Sequence, residues 1–293
     1  MSECPTLNLF DRIANRLRAD NTDLLANDSP GFAQALDMND PTLTVESHVK
    51  PGLRCRFRVA SDRATRERAY RLAHDIYSGV ALSSAHDTGM VVSPYDAGPE
   101  TFTLLAETMA GKAIGTVSLV FDSKKGLPCD EIYWLETSGL RAEGRSMAEV
   151  TRLAIRKDAE LSRDILLRLF NLIYIYARRV RRYSDFVIEV HPRHLKYYER
   201  TLGFQPIGDV QACARVGGAP AVLGRLDLAI PEAATRYAAA KHPGNGKGER
   251  SLYPGFWRGS EEAALADHLA LHYRPMAEEE AAYFGLEKEI AAL

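Results

Sequence analysis

The run Glu149-Val150-Thr151-Arg152-Leu153-Ala154-Ile155 sets a carboxylate and a guanidinium inside an otherwise apolar stretch. A carboxylate held there can take a proton from a reacting group. An arginine fork is the best side-chain match for a carboxylate ligand. The bland alternative is a structural ion pair, Glu149 with Arg152 or with Arg71. Spacing bears on the choice. If 147–155 is a strand, residues three apart face opposite sides, so Glu149 and Arg152 share a site only where a bulge intervenes. Tyr198 offers a phenol that can serve as a proton donor or simply as a core ring.

Two further groups carry chemistry-bearing side chains. His191-Pro192-Arg193-His194 brings two imidazoles close in sequence, but no third ligand lies nearby and a proline-broken strand end does not array them. No metal is expected there; the expected role is shaping a cleft floor, with His194 capping or beginning the next helix. Arg178, Arg179, Arg181 and Arg182 close a helical run. Cations are favoured at a helix C-terminus, so the group is either a solvated helix end or a docking surface for an acidic partner.

The elements that must position these residues follow from periodicity. Residues 53–60 alternate apolar and basic side chains as a half-exposed strand does. Asp62 suits the N-cap of a helix over 63–77, with Ala69, Leu72, Ala73 and Ile76 inward. Strands are expected over 101–109 and 112–121, turning at Ala110-Gly111, and again over 147–155. The apolar stripe through Ile165, Leu169, Ile173, Tyr176 and Val180 predicts a long helix over 161–182. A strand at 185–190, a short helix at 195–201 and strands at 205–214 and 221–229, about Gly217-Gly218-Ala219-Pro220, complete the pattern. The fold class expected is α/β, a mixed and mostly antiparallel central sheet flanked by helices over 51–230. Helical extensions are expected at 1–50, where residues 7–25 are amphipathic, and at 231–293. The helix between the strands at 147–155 and 185–190 implies one parallel crossover. Diverging parallel neighbours make a natural pocket.

Composition excludes several classes. The net charge of −2 lacks the basic excess of a nucleic-acid binder. Cys4, Cys55, Cys129 and Cys213 form no C-x-x-C pair and suit reduced thiols. The apolar run 169–177 is too short to span a bilayer, and the first residues show no secretory pattern. A cytoplasmic location is expected.

Over residues 53–230 the order of elements resembles the GNAT acyltransferase superfamily. Tyr197-Tyr198-Glu199-Arg200-Thr201-Leu202-Gly203-Phe204 is similar to the Y-x-x-x-G-F segment after that fold's fifth strand. Further motifs resemble the long-chain N-acyl amino acid synthases and their cousins, the acyl-homoserine-lactone synthases. They are Arg71 with Tyr77, then Tyr95-Asp96; the run from Gly115 to Ser123 followed by Gly126-Leu127-Pro128; and Glu149 to Ile155. His191-Pro192-Arg193-His194 and Gly218-Ala219-Pro220-Ala221 fit the amino acid synthases rather than the lactone synthases.

The resemblance implies transfer of a fatty acyl group from acyl carrier protein to the amino group of an amino acid. Glu149 is then the candidate base and Tyr198 the candidate acid. Arg71, Arg152, Tyr95, Asp96, Thr151 and Leu153 are expected to line the substrate site, with backbone N–H groups from Thr151 to Ile155 facing the oxyanion. Arg156 and Lys157, or Arg178, Arg179, Arg181 and Arg182, are expected to dock the acidic carrier. One departure bears on the donor. Where acetyl-CoA enzymes place a glycine loop, this chain reads Arg156-Lys157-Asp158-Ala159-Glu160-Leu161-Ser162-Arg163. Without glycine, close backbone approach to a pyrophosphate is harder. A carrier-protein thioester is therefore expected as donor, with no separate cofactor. Lactone synthesis from S-adenosylmethionine, and a non-catalytic domain sensing carrier protein or lipid, are the alternative readings.

Overall fold

The computed structural model describes residues 36–47, 52–78, 88–157, 162–241 and 251–290. The amphipathic run at 7–25, the glycine-rich stretch at 242–248 and residues 158–161 of the glycine-free segment lie outside them.

Eight strands form one sheet: β1 (Thr42–Glu46), β2 (Arg54–Val59), β3 (Thr101–Thr108), β4 (Ala113–Phe121), β5 (Met147–Ile155), β6 (Asp185–Val190), β7 (Gln205–Cys213) and β8 (Ala219–Asp227). Their spatial order is β1-β2-β3-β4-β5-β6-β8-β7. All neighbours run antiparallel except β5 and β6. A parallel pair needs a crossover, and α3 (Ser162–Ile175) supplies it with a π-type last turn at Tyr176–Val180. The expected helix over 161–182 is thus met, except that its end widens and stops at Arg182, whose φ is 60°. The β3–β4 turn passes through Gly111 at φ 83°, a conformation glycine adopts without a Cβ penalty.

Two helical layers cover the sheet. On one face α3 buries Ile165, Leu169 and Ile173 against Leu104, Val117, Ala148 and Val150. A Cβ on Gly115 would stand 2.6 Å from Ile165 Cγ2, so that glycine lets α3 approach β4 closely. Beside it lies α4 (Pro192–Leu202), which buries Leu195 and Leu202. On the other face α1 (Arg63–Ser78) turns Ala69, Tyr70 and Leu72 inward, and α2 (Asp130–Ala142) turns Tyr133, Thr137 and Leu140 inward.

The regions flanking 51–230 add to this body. β1, expected within an N-terminal helical extension, is instead an edge strand of the sheet. The C-terminal region is helical as expected: α5 (Ala229–Lys241), α6 (Gly259–His272), α7 (Glu278–Phe284) and α8 (Glu287–Ile290). Leu252, Tyr253, Phe256, Trp257, Leu265 and Leu269 join the main core. Met276, Ala281, Phe284 and Leu286 pack with Tyr70, Leu72 and Met90 beneath α1. No helix among the described residues is long and apolar enough to cross a membrane.

Candidate active site

The parallel pair closes at one end and opens at the other. Buried Asp185, at the start of β6, takes hydrogen bonds from Arg145 Nε and Arg225 Nε and pins the closed end. Pairing then runs Met147 to Asp185, Ala148 to Phe186 and Glu149 to Val187, and goes no further. Beyond it β5 continues to Ile155 and β6 to Val190. Glu149 therefore stands at the vertex of a splay, where strand backbone stops pairing and side chains from both strands converge.

Just past the vertex β5 bulges. Thr116 pairs with Ala154 and Ser118 with Thr151, so Val117 opposes both Arg152 and Leu153. Arg152 takes up the extra residue with φ at 49°, a left-handed conformation uncommon for a side-chain-bearing residue. This resolves the alternation problem. Arg152 now turns to the face shared by α1 and α2, with its guanidinium 4.8 Å from the Tyr70 ring and its Nε 3.1 Å from Ser118 Oγ. Glu149 faces the same way and accepts a 2.7 Å hydrogen bond from the Cys129 N–H at the start of α2.

Sharing a face does not make the two partners. Both terminal nitrogens of Arg152 go to the two carboxylate oxygens of buried Asp96, and Nη1 also reaches the Val91 carbonyl. Asp96 accepts in turn from the Ser93 N–H in a capped turn, Pro94–Ala97. The pair locks the loop carrying Tyr95 onto β5. Arg152 is thus a support for the site, and the expectation that its fork lies open to a ligand is corrected by its pairing. Arg71 is likewise corrected: it sits on the solvent face of α1, paired with Glu67 at 2.9 Å and donating to the Thr88 carbonyl. Glu149 pairs with neither arginine.

Burial dominates the chemistry of Glu149. At 2% exposure its charged form loses hydration, and this pushes its pKa up to about 7. Hydrogen bonds from Cys129 and the charge of Arg215 pull it down, and Glu189 pushes it up. A carboxylate poised near neutrality suits proton transfer.

Across the splay Tyr198, on α4, packs its ring against Phe170 and Phe204. Burial, with Tyr197 beside it, pushes its hydroxyl up to about 12, so it keeps its proton at neutral pH. Tyr77 comes from α1, its hydroxyl 3.4 Å from the Leu153 carbonyl and within electrostatic reach of Tyr198. Thr151 and Leu153 flank the bulge, both half-buried. Tyr95 stands near Glu149; burial first, then that carboxylate, raises its phenol pKa.

Other expected residues land elsewhere. His191, not His194, caps α4, its Nδ1 accepting from the Arg193 N–H at 3.2 Å. Arg178 and Arg179 pair with Glu232 and Glu262, and the Arg181 guanidinium lies 4.5 Å from the Phe121 ring. They end α3 beside the start of β6, at the closed end of the parallel pair. Arg156 and Lys157 follow directly on β5 at the open end. Three contributors went unnoticed in the sequence: Cys129, Glu189 and Arg215. Glu189 had a signal, since strand alternation puts it on the face of Val187. Arg215 lies in a short turn, Ala214–Val216, with no periodicity to mark it.

A largely antiparallel sheet with one splayed parallel pair, and a bulged strand carrying a carboxylate at the vertex, define an acyltransferase of the GNAT fold. Residues 68–227 match the family model for the N-acyl amino acid synthase FeeM, and the chain belongs to that family. The solved structure of FeeM, an N-acyl amino acid synthase from uncultured soil microbes, is 25% identical with a TM-score of 0.54, covering 62% of this chain and 94% of that one. Weaker likenesses include the acyl-homoserine-lactone synthase LasI, at 16% identity, a TM-score of 0.46 and coverage of 60% and 91%. An N-acetyltransferase from Staphylococcus aureus shows 13%, 0.39, 60% and 98%. No curated protein matches the chain.

Proposed function

We propose that this acyltransferase moves a long-chain fatty acyl group from acyl carrier protein to the amino group of an amino acid. The observation that carries the reading is Glu149, buried at the vertex with its pKa lifted to about 7. In the step proposed, the acceptor nitrogen attacks the thioester carbonyl and its proton passes to Glu149. The C–S bond then breaks, and the carrier thiolate leaves as the amide forms. A thiol pKa of about 8.5 makes that departure easy, so Tyr198 needs to donate only weakly. Backbone N–H groups beyond the bulge, on the side where β6 has diverged, stand ready for the oxyanion.

Three features support the particular substrates. Membership of an N-acyl amino acid synthase family supports an amino acid as acceptor. For the donor, the turn after Ile155 has no glycine to admit a pyrophosphate, and Arg156 and Lys157 lie at the open end. A long chain is favoured by the other face of the splay, where Val150, Phe170, Ile188 and Leu195 belong to the apolar core.

The test supplies purified protein with palmitoyl-loaded acyl carrier protein, palmitoyl-CoA or acetyl-CoA, and a pool of proteinogenic amino acids, and reads products by mass spectrometry. N-palmitoyl amino acids formed from the carrier protein are expected. Product from acetyl-CoA alone would sink the donor and chain-length assignment. A lactone made on adding S-adenosylmethionine would sink the acceptor.

A further inference from the structure

An α-amino acid carries its carboxylate one carbon from its amine, so a base and a cation serving it must face one spot. Arg152 has spent its fork on Asp96, and Arg71 lies out on α1 with Glu67. Arg215 is differently placed. Its Nη2 rests on Glu189 of β6, while its Nε is buried and makes no hydrogen bond, standing 3.3 Å from Glu131. Its Nη1 makes no hydrogen bond or ion pair among the described residues. Two of its three nitrogens are thus met by carboxylates, and the third, on a side chain about one-third exposed, is left to face a ligand. Glu189 shares a face of β6 with Val187, the residue paired with Glu149, so Arg215 stands on the Glu149 side of the splay, and both Glu149 and Tyr95 feel its charge.

We infer that Arg215 receives the carboxylate of the acceptor, held ready in the free enzyme by Glu189, with the acceptor's amine turned toward Glu149. The inference rests on the amino-acid acceptor proposed above. It adds a selection rule: free amino acids are taken, while amines and amides of the same side chain are disfavoured. Glu189 and Glu131 keep an otherwise open cation in place until the ligand arrives. Glu189 then competes with the ligand carboxylate, so its charge tunes affinity.

The experiment uses the full chain, palmitoyl-loaded acyl carrier protein, and two acceptor pools: proteinogenic amino acids and their α-carboxamides. Wild type is expected to prefer the acids. Arg215→Gln should shrink that preference at least about tenfold, mainly through KM for the acid, since a charge-assisted hydrogen bond is lost. Arg215→Lys should keep part of it. Glu189→Gln provides a check should Arg215→Gln fail to fold; it frees the guanidinium and should lower KM for the acids several-fold more than for the amides. An acid preference unchanged in Arg215→Gln, or KM values unchanged in Glu189→Gln, overturns the inference. Absence of any N-acyl amino acid from wild type instead overturns the acceptor class on which it rests, so the two failures are told apart.

Discussion

Replacing Glu149 with Gln separates the base from its surroundings with little change in shape. The amide oxygen can still accept from the Cys129 N–H, so the start of α2 stays attached. What is lost is a proton acceptor with a pKa of about 7. A positioned general base contributes roughly 10²–10⁴ in rate, and kcat/KM should fall by that factor. Since the ionised form is the active one, wild-type kcat/KM should show a rising limb centred near pH 7. The acceptor amine, which titrates at higher pH, adds a second limb to both proteins. Only the limb near 7 should vanish in Glu149→Gln. Its survival, or a loss of less than about threefold, would refute the role of Glu149 as base.

The same substitution makes a stability prediction of opposite sign. Glu149 is raised from 4.5 to about 7 on folding, so the native state holds that proton more tightly than the unfolded chain. Its contribution is fully present below pH 4.5 and is lost as pH rises through about 7. Above that, ionising the buried carboxyl costs about 3 kcal/mol. Burial raises this value; Cys129 at the start of α2 and Arg215 from the β7–β8 turn pull it back, and Glu189 from β6 adds to the rise. Glutamine carries no such cost. Glu149→Gln should therefore melt higher than wild type at pH 8, by on the order of 5 °C, with the gap closing toward pH 4.5. An inactive variant that is also more heat-stable at pH 8 could not be explained as simple misfolding.

Other expectations follow from the same geometry. Asp96→Ala leaves the Arg152 guanidinium buried without its partner and should destabilise by about 3–5 kcal/mol in urea melts, whereas Asp96→Ala combined with Arg152→Met should recover much of that. Tyr198→Phe should cost less than about tenfold in kcat, because a thiolate needs little acid help; a larger loss in single-turnover rate would make the phenol essential. Lys157→Glu should raise KM for loaded carrier protein several-fold, while Arg182→Glu, at the closed end of the sheet, should leave it as in wild type.

The fold was legible wherever one face of an element met the core. β5, β6 and α3 show plain periodicity, and their boundaries follow from it. α2 was not anticipated because its buried stripe is Tyr133, Thr137 and Leu140, with a threonine in the middle, while Trp134 and Leu135 are 59% and 82% exposed. Apolar spacing there points the wrong way. β1 escaped for a related reason: an edge strand with only Leu43 and Val45 buried carries too little pattern. Glu149 was legible as a charge in an apolar run. Whether Arg152 would join it was not, because that depends on a bulge fixed by the register of β4 against β5.

That bulge also gives the C-terminal region its relation to the site. A residue held at φ 49° is strained, and such conformations persist only when surroundings over-determine them. Arg152 is held by Asp96 on one side and the Tyr70 ring on another. Tyr70 is in turn braced edge-on by Phe284 of α7, and Arg66, one turn earlier on α1, donates to the Arg274 carbonyl. The family match ends at residue 227, yet the support of the bulge runs through residues 274–286. Phe284→Ala should therefore do more than open a cavity of the kind that costs about 3–5 kcal/mol. By loosening Tyr70 it should weaken the hold on Arg152 and lower kcat even at temperatures where the variant remains fully folded by circular dichroism. A variant destabilised to that extent but with wild-type kcat would show that the bulge needs no support from the C-terminal helices.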